Sequence, residues 1–107
     1  MKDNNAYLKH ILDAISLIEK FYSEYGESDI SQAAIERQLE IIGEASNNLA
    51  PKIRSNNPQV PWRDMINMRN ILIHNYMGVN VKTIWDTVTE DLPELKKQIT
   101  AILSKGE

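Results

Sequence analysis

Apolar residues recur at intervals of three and four along most of this chain, and no stretch alternates apolar and polar residues with a period of two. Spacing of three and four places side chains on one face of an α-helix, whereas a period of two is typical of a β-strand. The pattern therefore predicts an all-α fold. The two clearest stripes lie in the first two predicted helices. The first helix ends near residue 24, and its stripe is Leu8, Ile11, Leu12, Ile15, Ile18 and Tyr22. The second helix runs from about residue 30 to 49, and its stripe is Ile35, Leu39, Ile42, Ala45 and Leu49.

Capping residues and prolines set the ends of these two helices. Asp3 or Asn5 can cap the first helix, and residues 25–29 break the pattern and offer caps for the second. Pro51 ends the second helix, because an internal proline removes a hydrogen bond and clashes with the preceding turn. We expect residues 50–60 to be the one long connection of the fold.

The second half of the chain predicts two more helices. Pro61 suits the first turn of a third helix that runs to about Asn75. Gly78 ends this helix, and Asn80 can cap a fourth. Pro93 interrupts the fourth helix and kinks or restarts it. The prediction is an up-and-down bundle of four helices, or five if Pro93 makes a full break, in a single domain of all 107 residues.

Composition excludes several kinds of site. The chain has no cysteine, which rules out disulfides, thiolate metal sites and cysteine nucleophiles. With only two histidines, His10 and His74, we expect no metal site and no bound cofactor, and we interpret His10 as a surface residue. No apolar run approaches the roughly 20 residues of a membrane span, and the N-terminus lacks the apolar core of a signal peptide. We therefore expect a cytoplasmic protein that makes no membrane contact.

The net charge of −3 argues against broad electrostatic binding to nucleic acid, which needs a clustered basic face. A local basic site is still compatible with this charge. Any contact with RNA must then come from a few well-placed cations.

The predicted third helix is apolar over most of its circumference. On a wheel with about 100° per residue, two apolar arcs are formed by Met65, Met68, Ile71, Leu72 and Tyr76, and by Ile66, Ile73 and Met77. A helix of this kind is buried on more than one side. We expect one side to pack in its own bundle and the arc of Ile66, Ile73 and Met77 to lie at or near the seam of a homodimer.

Polar residues of the same helix form a narrow strip of Asn67, Asn70 and His74, and Arg69 lies between the two apolar arcs. A buried, unpaired guanidinium is very costly, so Arg69 must meet a carboxylate, a wet cleft or an anionic ligand. Arg69 and His74 are about 140° apart on a regular helix. For them to act together, Arg69 must reach around the helix, the last turn must loosen, or a partner subunit must complete the site.

Structural interpretations of these residues stay open. Arg69 can form a salt bridge with Glu40 or Glu44 of the second helix. Asn70 and His74 can be a surface pair or a helix C-terminal cap, a place where the helix dipole favours histidine.

The chemistry that would need these residues is phosphodiester cleavage without a metal. A guanidinium such as that of Arg69 can hold a phosphate and stabilise the charge that builds in the transition state. An imidazole such as that of His74 can move the proton of the attacking 2′-hydroxyl or of the leaving oxygen. Asn70 can orient the imidazole or donate to a phosphate oxygen. One histidine per chain is little for two proton transfers, and a two-fold dimer would bring a second set into the same cleft.

The segment Arg69-Asn70-x-x-x-His74 resembles the Arg-polar-x4–6-His signature of HEPN domains, and Arg69-x4-His74-x-Tyr76 is similar to the form found in HepT-type toxins. Other parts of the chain resemble this family as well. They are Ile-Ile-Gly-Glu-Ala at residues 41–45, Val-Pro-Trp-Arg-Asp-Met at 60–65, and Trp-x6-Leu-Pro-x-Leu at 85–95.

The resemblance implies a dimeric helical bundle and a metal-independent endoribonuclease, with Arg69 and His74 catalytic, Asn70 in support and RNA cleaved in a cleft at the dimer interface. It also implies a toxin of a type II/VII-like toxin–antitoxin pair. The partner would be a small nucleotidyltransferase antitoxin, which transfers AMP onto Tyr76 and can join the toxin in a larger hetero-oligomer.

Two other hypotheses remain from the residues alone. The domain could be a docking subunit for a nucleotidyltransferase and bind a nucleotide without cleaving RNA, which the low pI favours. It could also be a structural helical adaptor with Arg69 in an internal salt bridge.

Overall fold

The computed structural model describes residues 3–74 and 79–105, and the described chain is helical with no strand. The predicted all-α class is therefore confirmed. The elements are α1 (Asn4–Tyr25), α2 (Asp29–Asn48), α3 (Pro51–Asn56), α4 (Trp62–His74), α5 (Val81–Asp86), a π-helical turn (Thr87–Asp91) and α6 (Leu92–Ser104). No helix in these ranges is both long and apolar enough to cross a membrane.

The first two helices begin at side-chain caps. The carboxylate of Asp3 accepts a hydrogen bond from the Ala6 amide at 3.1 Å, which confirms one of the two predicted caps. Ser28 and Ser31 form a reciprocal capping box at the start of α2. Between the helices, Gly26 takes a φ of 61°, a left-handed conformation that glycine adopts at little cost. These local interactions reverse the chain so that α1 and α2 pack side by side.

The core is built from the predicted apolar stripes. The α2 stripe is wholly buried, while Leu12 and Tyr22 of the α1 stripe are only half-buried at its edge and Ala14 joins the core. In the last part of the chain, Ile84 and Val88 are buried, whereas Val81 is exposed. The buried core residues are Leu8, Ile11, Ala14, Ile15, Ile18, Ile35, Leu39, Ile42, Ala45, Leu49, Val60, Trp62, Ile84, Val88, Leu92, Leu95, Ile99 and Ile102.

The expectation that residues 50–60 form a plain connection is wrong, because they contain α3. Pro51 ends the preceding helix and also starts α3, where its fixed φ fits the first turn and its missing N–H is not needed. The turn after α3 is held by Asn57, whose side chain donates to the Ile53 carbonyl and whose own carbonyl accepts from the Trp62 indole at 3.0 Å. The connection is thereby fixed against the start of α4.

A continuous helical path runs from α5 through the π turn to α6. Asn80 caps it as predicted, accepting a hydrogen bond from the Lys82 amide at 2.9 Å. Pro93 does not break the path, because it sits in the first turn of α6 and the wider π turn comes just before it. In that turn the Leu92 amide bonds to the Thr87 carbonyl, five residues back. The fifth helix of the bundle is therefore α3, and not a fragment produced by Pro93.

Helices α2 and α4 approach most closely at Gly43. A β-carbon added there would lie 2.6 Å from the Met65 carbonyl oxygen and closer still to the Cβ of Arg69. These distances are far inside van der Waals contact, and the nearest obstacles are backbone and a β-carbon, which cannot swing aside. The contact therefore requires glycine, although glycine is otherwise a poor helix residue.

Substitution of Gly43 by alanine tests this contact. In an open helix the change stabilises by about 1 kcal/mol, but here we expect overpacking to lower the free energy of unfolding by about 1–3 kcal/mol. Urea denaturation measures the difference. Ala33→Gly at an exposed position of α2 is the control and should cost about 1 kcal/mol. A Gly43→Ala protein more stable than the wild type would contradict the close approach.

Candidate active site

Helix α4, which carries the predicted site, packs antiparallel on α2 and is covered on one side only. Trp62 is its one fully buried residue within the described range. Ile66 is half-buried, while Ile71 and Ile73 keep 46% and 38% of their surface exposed. The sequence predicted burial on more than one side, and in the single chain the second side is open to solvent. Met77, the third residue of the predicted seam, lies outside the described residues.

Arg69 forms an ion pair with Glu44 across the α2–α4 contact, with 2.8 Å between Nη2 and Oε2. This is one of the two pairings that the sequence left open. The other candidate, Glu40, instead pairs with Arg37 one turn away on α2. The Arg69 side chain is 26% exposed and that of Glu44 is 49% exposed, so the pair lies at the edge of the helix contact and is open to water.

Asn70 takes a second hydrogen bond from the same guanidinium, with 2.8 Å from Arg69 Nη1 to Asn70 Oδ1. The Arg69 Nε is buried and has no hydrogen-bond partner among the described residues. An arginine carries five N–H groups. Glu44 and Asn70 fix the plane of the guanidinium, and among the described residues one N–H on each Nη atom has no partner and can donate to an anion.

His74 is the last described residue of α4, and its side chain is exposed. The helix stays regular up to this residue, so the last turn does not loosen before it. No hydrogen bond joins His74 to Arg69 or Asn70 in the part of the chain that the structure describes. Asn70 is one turn before His74 on the same face and is bonded to Arg69, so it links the guanidinium to the histidine face. Tyr76, the predicted AMP acceptor, lies outside the described residues.

Sequence reasoning gave Glu44 only as an alternative and did not assign Gly43 a role. The signal for Gly43 was present, because an isolated glycine inside a helical pattern often marks a close approach of two backbones. Gly43 lets α4 come near enough for Arg69 to rest against α2, and Glu44 is the next residue along. These two neighbours place the arginine of the motif.

The chain was compared with known proteins. The family model described as Ribonuclease HepT-like matches residues 11–102. A protein of Caldanaerobacter subterraneus subsp. tengcongensis, named as a candidate RNase, is 41% identical over 110 residues that cover 98% of both chains. A Thermococcus cleftensis protein, named as a candidate ribonuclease HepT, is 45% identical over 100 residues, covering 89% of this chain and 91% of the relative.

A third relative, from Methanocaldococcus jannaschii and also named as a candidate RNase, is 37% identical over 94% of this chain and 97% of its own. No solved structure gave a significant match. The agreement in length, identity and family model confirms the resemblance that the Arg69–His74 segment predicted. The chain belongs to the ribonuclease HepT-like family.

Proposed function

We propose that this protein is a metal-independent endoribonuclease and the toxin of a toxin–antitoxin pair. The observation that carries the proposal is the hydrogen bond that the Arg69 guanidinium donates to Asn70, which lies on the same helix face as the exposed His74. The names of the relatives support RNA as the substrate class. Arginine and histidine together supply the charge stabilisation and proton transfer that RNA cleavage needs.

In the proposed reaction the 2′-hydroxyl of one nucleotide attacks the adjacent phosphorus. The O2′–P bond forms as the P–O5′ bond breaks, leaving a 2′,3′-cyclic phosphate and a free 5′-hydroxyl. Arg69 holds the non-bridging oxygens through its two free N–H groups, where negative charge grows in the transition state. His74 takes the proton of the 2′-hydroxyl or returns one to the leaving oxygen.

A homodimer supplies what a single chain lacks. One histidine does not perform both proton transfers at once, and a two-fold axis beside α4 would bring a second Arg69, Asn70 and His74 into the cleft. The exposed Ile73 of the predicted seam supports this arrangement, because an interface would remove its apolar surface from water.

The proposed regulator is a nucleotidyltransferase antitoxin that transfers AMP to Tyr76. Tyr76 follows His74 by two residues in the sequence and belongs to the same motif. Added phosphate would compete with the RNA phosphate for the Arg69 guanidinium, and its bulk would exclude the substrate.

Substitution of the two catalytic side chains tests the activity. We expect Arg69→Ala and His74→Ala each to lower the rate of RNA cleavage about 10²–10⁴-fold, because each removes a group that acts in the transition state. Cleavage of a labelled RNA by purified protein measures this, with circular dichroism to check the fold. The control Lys97→Ala, at an exposed position of α6, should stay near the wild-type rate. Full activity of both motif variants would refute the assignment. A wild-type protein that binds nucleotides and cleaves no RNA would favour the docking-subunit hypothesis.

The dimer is tested by placing a charge on the open side of α4. We expect Ile73→Asp to convert a wild-type dimer into monomers at micromolar concentration, because an unpaired carboxylate in an apolar interface is costly. Analytical ultracentrifugation measures the mass. Ile30→Asp is the control, since Ile30 is 70% exposed at the start of α2. A monomeric wild type would refute the dimer, and dissociation by Ile30→Asp alone would show that the seam is elsewhere.

The modification is tested by co-expression with a nucleotidyltransferase of the proposed antitoxin class. We expect peptide mass spectrometry to find AMP on Tyr76 and the modified protein to lose RNA cleavage. Tyr76→Phe should stay unmodified and active in the same cells. AMP on a different residue, or inhibition of the Tyr76→Phe protein as strong as that of the wild type, would contradict this part of the proposal.

A further inference from the structure

A polar groove of about 940 Å³ runs between α3 and α4. Its charged side chains are Arg54 from α3 and Arg63 and Asp64 from α4, which leaves one net positive charge, and Ser55 and Asn67 add neutral polar groups. The groove also contains the start of α4, where the helix dipole adds positive potential. This α3–α4 groove thus combines features that suit a phosphate.

The α3–α4 groove lies on the same face of α4 as two residues of the proposed active site. Arg63, Asn67, Asn70 and His74 follow each other at intervals of four, three and four, so they share one face of α4. Arg63 and Asn67 line the groove, and Asn70 and His74 belong to the motif. One polar strip therefore leads from the groove to the proposed catalytic histidine.

The two arginines of the groove differ in their availability. Arg54 Nη1 donates to the carbonyls of Ser46 and Asn47, at the C-terminal end of α2, so this guanidinium is partly committed to the fold. Arg63 is exposed and has no ion pair with another described residue. Arg63 is therefore the side chain better placed to receive an anion.

The opposite flank of α4 has the reverse charge. A groove of about 610 Å³ there contains Glu90, Asp91 and Glu94, shares Asp64 with the α3–α4 groove, and is lined by no lysine or arginine among the described residues. An RNA strand that crosses α4 is repelled on this flank and attracted on the other. In a chain of net charge −3, this contrast in charge favours a path of the RNA strand along the α3–α4 groove.

From this geometry we propose that the α3–α4 groove binds a phosphate of the RNA strand that flanks the cleaved bond, with Arg63 as its main contact. The inference rests on the proposed ribonuclease function. Arg63 and His74 are eleven residues apart, roughly 16 Å along the helix. That length corresponds to roughly five stacked nucleotides at about 3.4 Å each. Arg63 therefore contributes to binding of long RNA and not to the chemical step.

Binding is tested in the His74→Ala background, which keeps the RNA intact. We compare Arg63→Gln with Lys97→Gln, which removes the same charge from an exposed position of α6. Loss of one phosphate contact should raise the Kd for a single-stranded RNA about fivefold at 0.1 M salt. It should also reduce the slope of log K against log salt concentration by about 0.7. Fluorescence anisotropy at several salt concentrations measures both. Equal behaviour of the two variants would overturn the proposal.

Substrate length gives the second measurement, in the otherwise wild-type protein. For a long RNA, Arg63→Gln should raise KM and leave kcat unchanged, while cleavage of a dinucleotide stays at the wild-type rate. Arg63→Lys should have a KM between those of the wild type and Arg63→Gln. A loss of dinucleotide cleavage would overturn the assignment to a flanking phosphate. If the wild type cleaves no RNA, the proposed function fails, but the anisotropy comparison still decides whether the groove binds RNA.

Discussion

The approach of α2 and α4 at Gly43 is the contact on which the site depends. Because Gly43 has no side chain, the Arg69 side chain of α4 packs directly against the backbone of α2. The guanidinium then extends to Glu44, the neighbour of the glycine. A packing requirement thus fixes where the principal cation of the motif is held.

The ion pair itself contributes little to stability, since both partners are partly exposed and such pairs are typically worth less than about 1 kcal/mol. Its effect is on orientation. Held by Glu44 and Asn70, the guanidinium of Arg69 keeps one plane, and within the described ranges two of its Nη N–H groups have no partner. An arginine fixed in this way loses less conformational entropy when a phosphate binds. Glu44 is therefore best described as a positioning residue.

Periodicity and caps predicted most of the fold, because the long helices bury one clear stripe each. The helix α3 was missed, since six residues make less than two turns and show no stripe. In the site, sequence could not choose between Glu40 and Glu44 as the partner of Arg69. The two carboxylates are four residues apart on the same helix face, so only the position of α4 along α2 decides, and Gly43 fixes that position. The groove with Arg63 likewise depends on where α3 folds back, which no local pattern specifies.

The π turn at Thr87–Asp91 has a consequence for the history of the family. A π turn holds one residue more than the α turn it replaces, and the helix on either side keeps its face toward the core. A related protein that is one residue shorter at this point can therefore form ordinary α turns here. It can still bury the residues that correspond to Val88 and Leu92. Changes in chain length are usually confined to surface loops. In this fold, an insertion or deletion can be absorbed inside a helix.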